Sequence, residues 1–138
     1  QGPESSMTIA EVSRKYGLSA DTLRYYERIR LIPPVHRNKS GIRDYQEGDC
    51  QWVEFIKCMR GAGLQVEALI EYVSLFGKEG TAEARKQILV EQRDQLQERV
   101  EQLQSTLERL NGKIEHYEQV LMSAEKKLME YAGEEKQS

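Results

Sequence analysis

Positive charge is concentrated in one short stretch of this chain, between residues 14 and 43. Eight Lys and Arg residues lie there against the two acids Asp21 and Glu27, which leaves a local charge of +6. The whole chain of 138 residues has a formal net charge of −3. A basic segment with interspersed tyrosines in an otherwise acidic chain is typical of a surface that neutralises nucleic-acid phosphates.

The run Leu23-Arg24-Tyr25-Tyr26 contains the side chains best suited to read DNA. Arg24 can reach a phosphate or the edge of a guanine, and tyrosine hydroxyls hydrogen-bond to phosphates. Alternatively, one of the two tyrosines belongs to the core and Arg24 is merely solvated. Ser19 is also explained as a helix cap. The predicted DNA contacts here are Lys15, Tyr16, Ser19, Thr22, Arg24, Tyr25 and Tyr26.

Two short helices joined by a tight turn are predicted to position these groups. Thr8 followed by Glu11 has the spacing of a capping box, which starts the first helix. Gly17 ends that helix, and Ser19 caps the second, whose inward anchor is Leu23. A short glycine-containing turn between two helices is the helix-turn-helix motif, in which the second helix enters the DNA major groove.

A small basic hairpin is predicted next, over residues 31–45, and is called the wing. Pro33 and Pro34 exclude a helix, the segment 38–41 reads as a turn, and 42–45 as a return strand. His36 is interpreted as a surface residue. The alternative is a solvated hairpin without a role in binding. The predicted phosphate contacts of the wing are Arg37, Lys39 and Arg43.

Two further helices are predicted over 46–60 and 64–76, because apolar residues recur there at helical spacing. After a linker at 77–80, one long helix is predicted over 81–131. From Leu96 its apolar residues alternate at spacings of four and three, which is the seam of a coiled coil. Asn111-Gly112 is a strong turn pair, so a fold-back there is the alternative to a continuous helix. The predicted dimerisation residues are Leu89, Leu96, Val100, Leu103, Leu107, Leu110 and Ile114.

Three of these segments resemble the DNA-binding domain of the MerR family of bacterial regulators: 8–12, 23–27 and Arg43-Asp44-Tyr45. The resemblance implies a mainly α fold, with a winged helix-turn-helix domain at 7–76 followed by a dimerisation helix. It further implies an antiparallel coiled coil between two copies and a palindromic promoter as the DNA partner. Such regulators untwist and bend an overlong promoter spacer, so RNA polymerase is an indirect partner.

Cys58 is the candidate for a sensor thiol. Lys57 and Arg60 are close to it in sequence, and cationic neighbours favour the thiolate, which is the nucleophilic form. The chain resembles the AdhR/NmlR-like branch of the family, which senses reactive aldehydes and nitrosative or oxidative stress through a cysteine on this helix. The alternative is a buried core cysteine, which is also how Cys50 is interpreted.

Other functions have less support in the sequence. Metal-sensing relatives carry cysteines in and beyond the long helix, whereas residues 77–138 contain none and only His116 as histidine. We therefore expect no metal site, no cofactor and no enzymatic activity. A regulator with another non-metal effector, a thiol enzyme and a coiled-coil interaction protein without sequence-specific DNA binding remain as alternatives.

The composition bears on localisation, and the two ends of the chain are interpreted separately from the domains. Charged residues make up 31% of the chain, and no apolar run approaches the ~20 residues that span a bilayer. We expect a cytoplasmic protein without a membrane partner. Residues 1–6 are interpreted as a vector remnant and 132–138 as a flexible tail.

Overall fold

The computed structural model describes residues 6–137, with side chains up to residue 133. It is mainly helical, as predicted. It divides into two compact units, one up to Leu96 and one from Gln97 onwards. The predicted remnant falls almost entirely on residues 1–5, outside the described part. The helices among the described residues are α1 (Ile9–Tyr16), α2 (Ala20–Arg28), α3 (Glu47–Gly61), α4 (Val66–Leu75) and α5 (Ala82–Gln137).

The predicted caps of the helix-turn-helix are confirmed. The Thr8 hydroxyl accepts a hydrogen bond from the backbone N–H of Glu11, and the Glu11 carboxylate accepts one from the N–H of Thr8. Gly17 ends α1 at φ 67°, a left-handed conformation that glycine adopts without steric cost. Ser19 caps α2 through the N–H of Thr22. These local bonds set the short turn between α1 and α2.

A single core holds the first unit together. Val12 from α1 and Leu23 from α2 are fully buried, and Val53 and Ile56 from α3 join them. The wing contributes as well, because Tyr45 at its end is also fully buried. The helices that carry the basic side chains and the wing are therefore supported by the same core. Its other members are Tyr26, Leu31, Ile32, Val35, Cys50, Leu64 and Leu69.

The wing contains less strand than predicted. In place of a two-stranded hairpin, the described residues show only isolated bridges, between Arg37 and Arg43 and between Met7 and Tyr45. The Asn38 side chain closes the tip by accepting hydrogen bonds from the N–H groups of Ser40 and Ile42. Backbone bonds from the Asn38 N–H to the Ile42 carbonyl and from the Asp44 N–H to the His36 carbonyl join the two legs, and the Asn38 side chain adds to them at the tip.

A buried glutamine connects α4 to the beginning of α5. Gln65 precedes α4 without a side-chain cap of its own, and its N–H donates to the Gln92 Oε1 at 3.0 Å. Gln92 is buried, and Leu96, one turn further on, packs against the core. Leu96 was predicted as a dimerisation residue, but it already packs against apolar side chains of its own chain.

α5 runs through Asn111-Gly112 without a break, so the fold-back alternative is wrong. The predicted helix end at residue 131 is too early, since α5 continues to Gln137. Most residues after Tyr131 are good helix formers, and one interior glycine costs only ~1 kcal/mol. The predicted tail at 132–138 is therefore helical up to residue 137, and residue 138 lies outside the described part.

The second unit leaves the predicted seam uncovered. Val100, Leu103, Leu107, Leu110 and Ile114 are all exposed, Leu103 at 68%. The same holds for Tyr117, Leu121 and Leu128 further along α5. An exposed apolar stripe of this kind is typical of an interaction surface.

Candidate nucleic-acid interface

The outer face of α2 presents Arg24 and Tyr25. The Arg24 side chain is 47% exposed, and its Nη1 donates to the Asp21 carboxylate at 3.0 Å. Asp21 is almost fully exposed, so this pair is weak and can open when a phosphate competes. Tyr25 is exposed, and the Arg28 guanidinium lies 5.3 Å from the centre of its ring. A cation and a phenol thus lie next to each other on the helix face predicted to meet DNA.

Tyr26, by contrast, is a core residue. Only 8% of it is exposed, and it packs in the cluster around Leu23. This burial raises the pKa of its phenol, because the charged form would lose hydration. The alternative that one of the two tyrosines is structural therefore applies to Tyr26, which offers little surface to a duplex.

The end of α1 and the start of α2 present further polar groups. Lys15 is exposed, with its ammonium 5.4 Å from the centre of the Tyr16 ring. Tyr16 is partly buried, which raises its pKa. The Ser19 hydroxyl donates to the Thr22 hydroxyl and accepts from the Thr22 N–H. Ser19 and Thr22 are therefore already used in capping, whereas Lys15 is open to solvent.

The three basic residues of the wing are not equivalent. Lys39 is exposed at the tip. The Arg37 side chain is 46% exposed; its Nη1 donates to the Gly41 carbonyl, and its Nη2 lies 4.0 Å from the Glu27 Oε1. Only 22% of the Arg43 side chain is exposed, and its Nε donates to Glu27 at 2.7 Å. Arg37 and Lys39 are therefore better placed for phosphates than Arg43.

Two carboxylates anchor the wing, and neither was among the predicted site residues. Glu27 of α2 accepts from the N–H of Val35 at 2.9 Å as well as from Arg43. Asp49 of α3 is buried and accepts from the Nδ1 of His36 at 2.7 Å. A signal existed for Glu27, because it is one of only two acids in the basic stretch. Asp49 stands three residues after the N-cap Gln46, and its carboxylate accepts from the Gln46 N–H at 2.9 Å.

The two cysteines lie in different environments on α3. Cys50 is buried, and its Sγ lies 3.9 Å from the Sδ of Met7. Burial raises the pKa of the Cys50 thiol, which disfavours the nucleophilic thiolate. Cys58 is exposed, so the core alternative applies to Cys50 and not to Cys58.

The cations near Cys58 in sequence have other partners. Lys57 donates from Nζ to the Tyr16 carbonyl, and Arg60 donates to the Leu64 carbonyl at 2.6 Å. These bonds connect α3 to the end of α1 and to the loop before α4. The structural support for a reactive Cys58 is therefore its exposure.

Comparison with known families decides the identity of this fold. The family model for MerR helix-turn-helix regulatory proteins matches residues 7–75, half of the chain, and a second model, MerR DNA binding, matches residues 50–113. The chain belongs to the MerR family. The predicted resemblance is confirmed, and with it the expectation of a regulator in place of an enzyme.

Individual MerR family members are similar over different lengths. The transcriptional regulator AdhR of Bacillus subtilis is 62% identical over 91 residues, which are 65% of either chain. A MerR family regulator from Listeria monocytogenes of known structure is 47% identical, with a TM-score of 0.87 over 93% of this chain and 98% of that one. HiNmlR, a MerR family regulator lacking the sensor domain and bound to promoter DNA, is 27% identical with a TM-score of 0.73, covering 83% of this chain and 91% of its own.

Two further observations concern other kinds of site. Within the described part of the chain, no three His, Cys, Asp or Glu side chains form a group that could hold a metal ion. None of the helices traced between residues 6 and 137 combines the length and the apolar character needed to cross a bilayer.

Proposed function

We propose that this protein is a MerR-type transcriptional regulator that binds a palindromic promoter as a homodimer and distorts it. The observation that carries the proposal is the pairing of an exposed Arg24 and Tyr25 on α2 with an exposed Arg37 and Lys39 on a wing anchored to the same core. A helix in the major groove and a wing on the backbone form two separate contacts with one half-site.

The homodimer is supported by the apolar stripe of the second unit. Leucines at heptad spacing associate when each inserts between residues of a facing helix. A second copy of α5, running antiparallel, carries the complementary stripe. Two-fold symmetry would then present two recognition helices to the two halves of a palindrome.

Distortion of the promoter follows from the resemblance to the family. Two half-sites gripped by one dimer hold the duplex at two places, so a change between the grips bends or untwists the DNA between them. In the proposed mechanism this brings both promoter elements into reach of RNA polymerase.

The first test is DNA binding as a function of salt. We expect specific binding to the duplex upstream of the gene that encodes this chain, over a scrambled duplex of equal length. With six or more phosphates neutralised per dimer, the affinity should fall about a thousandfold between 50 and 200 mM salt. Fluorescence anisotropy of labelled duplexes measures both quantities. A shallow salt slope with no sequence preference would instead identify a coiled-coil interaction protein.

For the inducing signal we propose Cys58. It is exposed, and the AdhR/NmlR-like resemblance implies a sensor thiol on this helix. With formaldehyde, its sulfur adds to the carbonyl carbon, and the thiol proton ends on the former carbonyl oxygen. The product is a hydroxymethyl thioether that adds bulk to α3 in the DNA-binding domain.

Replacement of Cys58 by Ser tests this assignment. In a transcription assay with purified RNA polymerase, we expect formaldehyde to change transcript levels with the parent protein and to leave them unchanged with Cys58→Ser. Cys50→Ser, at the buried thiol, is the matched control and should respond as the parent does. If Cys58→Ser responds like the parent, a different effector controls this regulator.

A further inference from the structure

One carboxylate connects the helix that presents Arg24 to both legs of the wing. Glu27 lies in the last turn of α2, and its side chain is 13% exposed. Oε1 accepts from the Nε of Arg43 at 2.7 Å, and Oε2 accepts from the backbone N–H of Val35 at 2.9 Å. Val35 precedes the wing tip and Arg43 follows it, so a single side chain holds the outgoing and the returning leg.

A second carboxylate reaches the neighbouring residue from another helix. The Asp49 Oδ2 of α3 accepts from the ring Nδ1 of His36 at 2.7 Å. The backbone N–H of His36 points to the same oxygen at 3.4 Å. Val35 and His36 are thus held by α2 and α3 respectively. Hydrogen bonds to a carboxylate are stronger than neutral ones, so the base of the wing is fixed against both helices.

The number of charges alone assigns Glu27 an unfavourable effect on DNA binding. It is one of two acids among eight cations between residues 14 and 43, and a negative charge near DNA repels phosphate. By that count, neutralising Glu27 would tighten binding to any duplex. The hydrogen bonds of Glu27 predict the opposite. Neutralising Glu27 would loosen the wing from α2, and would weaken binding to a half-site that α2 and the wing must contact together.

We propose that Glu27 is a positioning residue for sequence-specific DNA binding, and that Arg43 acts with it and not as a phosphate contact. This inference rests on the proposed DNA-binding function. Glu27 sets the distance between the recognition helix and the wing, so that both can engage one half-site. Phosphate binding by the wing is then left to Lys39 and Arg37. The Arg37 guanidinium lies 4.0 Å from the Glu27 Oε1 and its side chain is 46% exposed, whereas Arg43 lies at 2.7 Å and is 22% exposed.

The first experiment compares Glu27→Gln with Glu67→Gln, an equal charge change at an exposed position of α4. The probes are a duplex that the parent protein selects from a random pool and a scrambled duplex of the same composition. We expect Glu27→Gln to weaken binding to the selected duplex at least tenfold, without weakening binding to the scrambled one. Glu67→Gln should match the parent on both. Equal or tighter binding of Glu27→Gln to the selected duplex would overturn the inference.

Arg43→Gln provides a second test that does not depend on the first variant. If Arg43 positions the wing, this change should lower affinity for the selected duplex and leave the salt slope on the scrambled duplex unchanged. The double variant with Glu27→Gln should then bind no more weakly than Glu27→Gln alone, because Glu27→Gln has already weakened the connection that Arg43→Gln removes. Additive losses, or a smaller salt slope with Arg43→Gln, would identify Arg43 as a phosphate contact and contradict the proposal.

Thermal melting followed by circular dichroism checks that each variant is folded at the assay temperature. Equal affinity of the parent protein for the selected and scrambled duplexes would refute the proposed function itself, and this inference with it. That outcome differs from a parent that discriminates and a Glu27→Gln variant that discriminates as well, which refutes only the role of Glu27.

Discussion

Replacement of Arg24 by Ala is expected to weaken binding to the specific duplex by about thirtyfold or more. Its guanidinium is exposed on α2 and is paired with the solvent-exposed Asp21, so it is available to a base edge or a phosphate. A bidentate contact to guanine contributes about 1–3 kcal/mol of discrimination, and a dimer would lose it in both half-sites. Fluorescence anisotropy with the selected duplex measures the loss.

The same variant distinguishes the two kinds of contact. If Arg24 reads a base, sequence preference should relax at one position of each half-site. If it binds a phosphate, affinity should fall uniformly across sequences and the salt slope should decrease by about one for each contact. Arg93→Ala is the matched control, because Arg93 is also exposed and paired with a neighbouring aspartate at 3.0 Å. Equal losses for Arg24→Ala and Arg93→Ala would remove Arg24 from the interface.

The second large effect is expected from charges in the seam of α5. Leu103→Glu combined with Leu110→Glu places two carboxylates per chain where the proposed dimer excludes water. Burying a charge without a partner is costly, so the dimer should dissociate. Sedimentation should then give the mass of one chain, 16.0 kDa, where the parent gives twice that value.

Loss of the dimer should also weaken DNA binding more than a hundredfold, because two half-sites would no longer be bound by one particle. Ser105→Glu adds the same type of charge at a position opposite the seam in the heptad and should leave both mass and affinity unchanged. If the leucine double variant sediments as a dimer, these leucines do not form the association surface, and the proposed palindromic binding loses its basis.

Local sequence signals predicted the helix-turn-helix accurately. The Thr8 and Glu11 capping box, the left-handed Gly17 and the Ser19 cap depend on residues no more than four apart. Short-range hydrogen bonds of this kind are determined by residue type and spacing alone. The continuous helix through Asn111-Gly112 followed from the uninterrupted heptad in the same way.

Packing between residues distant in sequence is evident only in the tertiary structure. Tyr25 and Tyr26 are adjacent residues of one type, and only the tertiary structure shows that Tyr26 lies in the core and Tyr25 outside it. The same applies to Cys50 and Cys58, which lie on one helix but differ in burial. The buried face of a helix depends on the elements that pack against it. The periodicity of apolar residues within the helix predicts that face only approximately.

For the basic residues, the amino-acid sequence and the tertiary structure determined different properties. Their number and clustering already established a positive surface, since charge is a property of composition. Which of them are available to a phosphate depends on partners distant in sequence, as with Arg43, which is sixteen residues from Glu27 but bonded to it. The type of surface was thus determined by the sequence, whereas the tertiary structure decided which cations remain open, because ion pairs form between groups that only folding brings together.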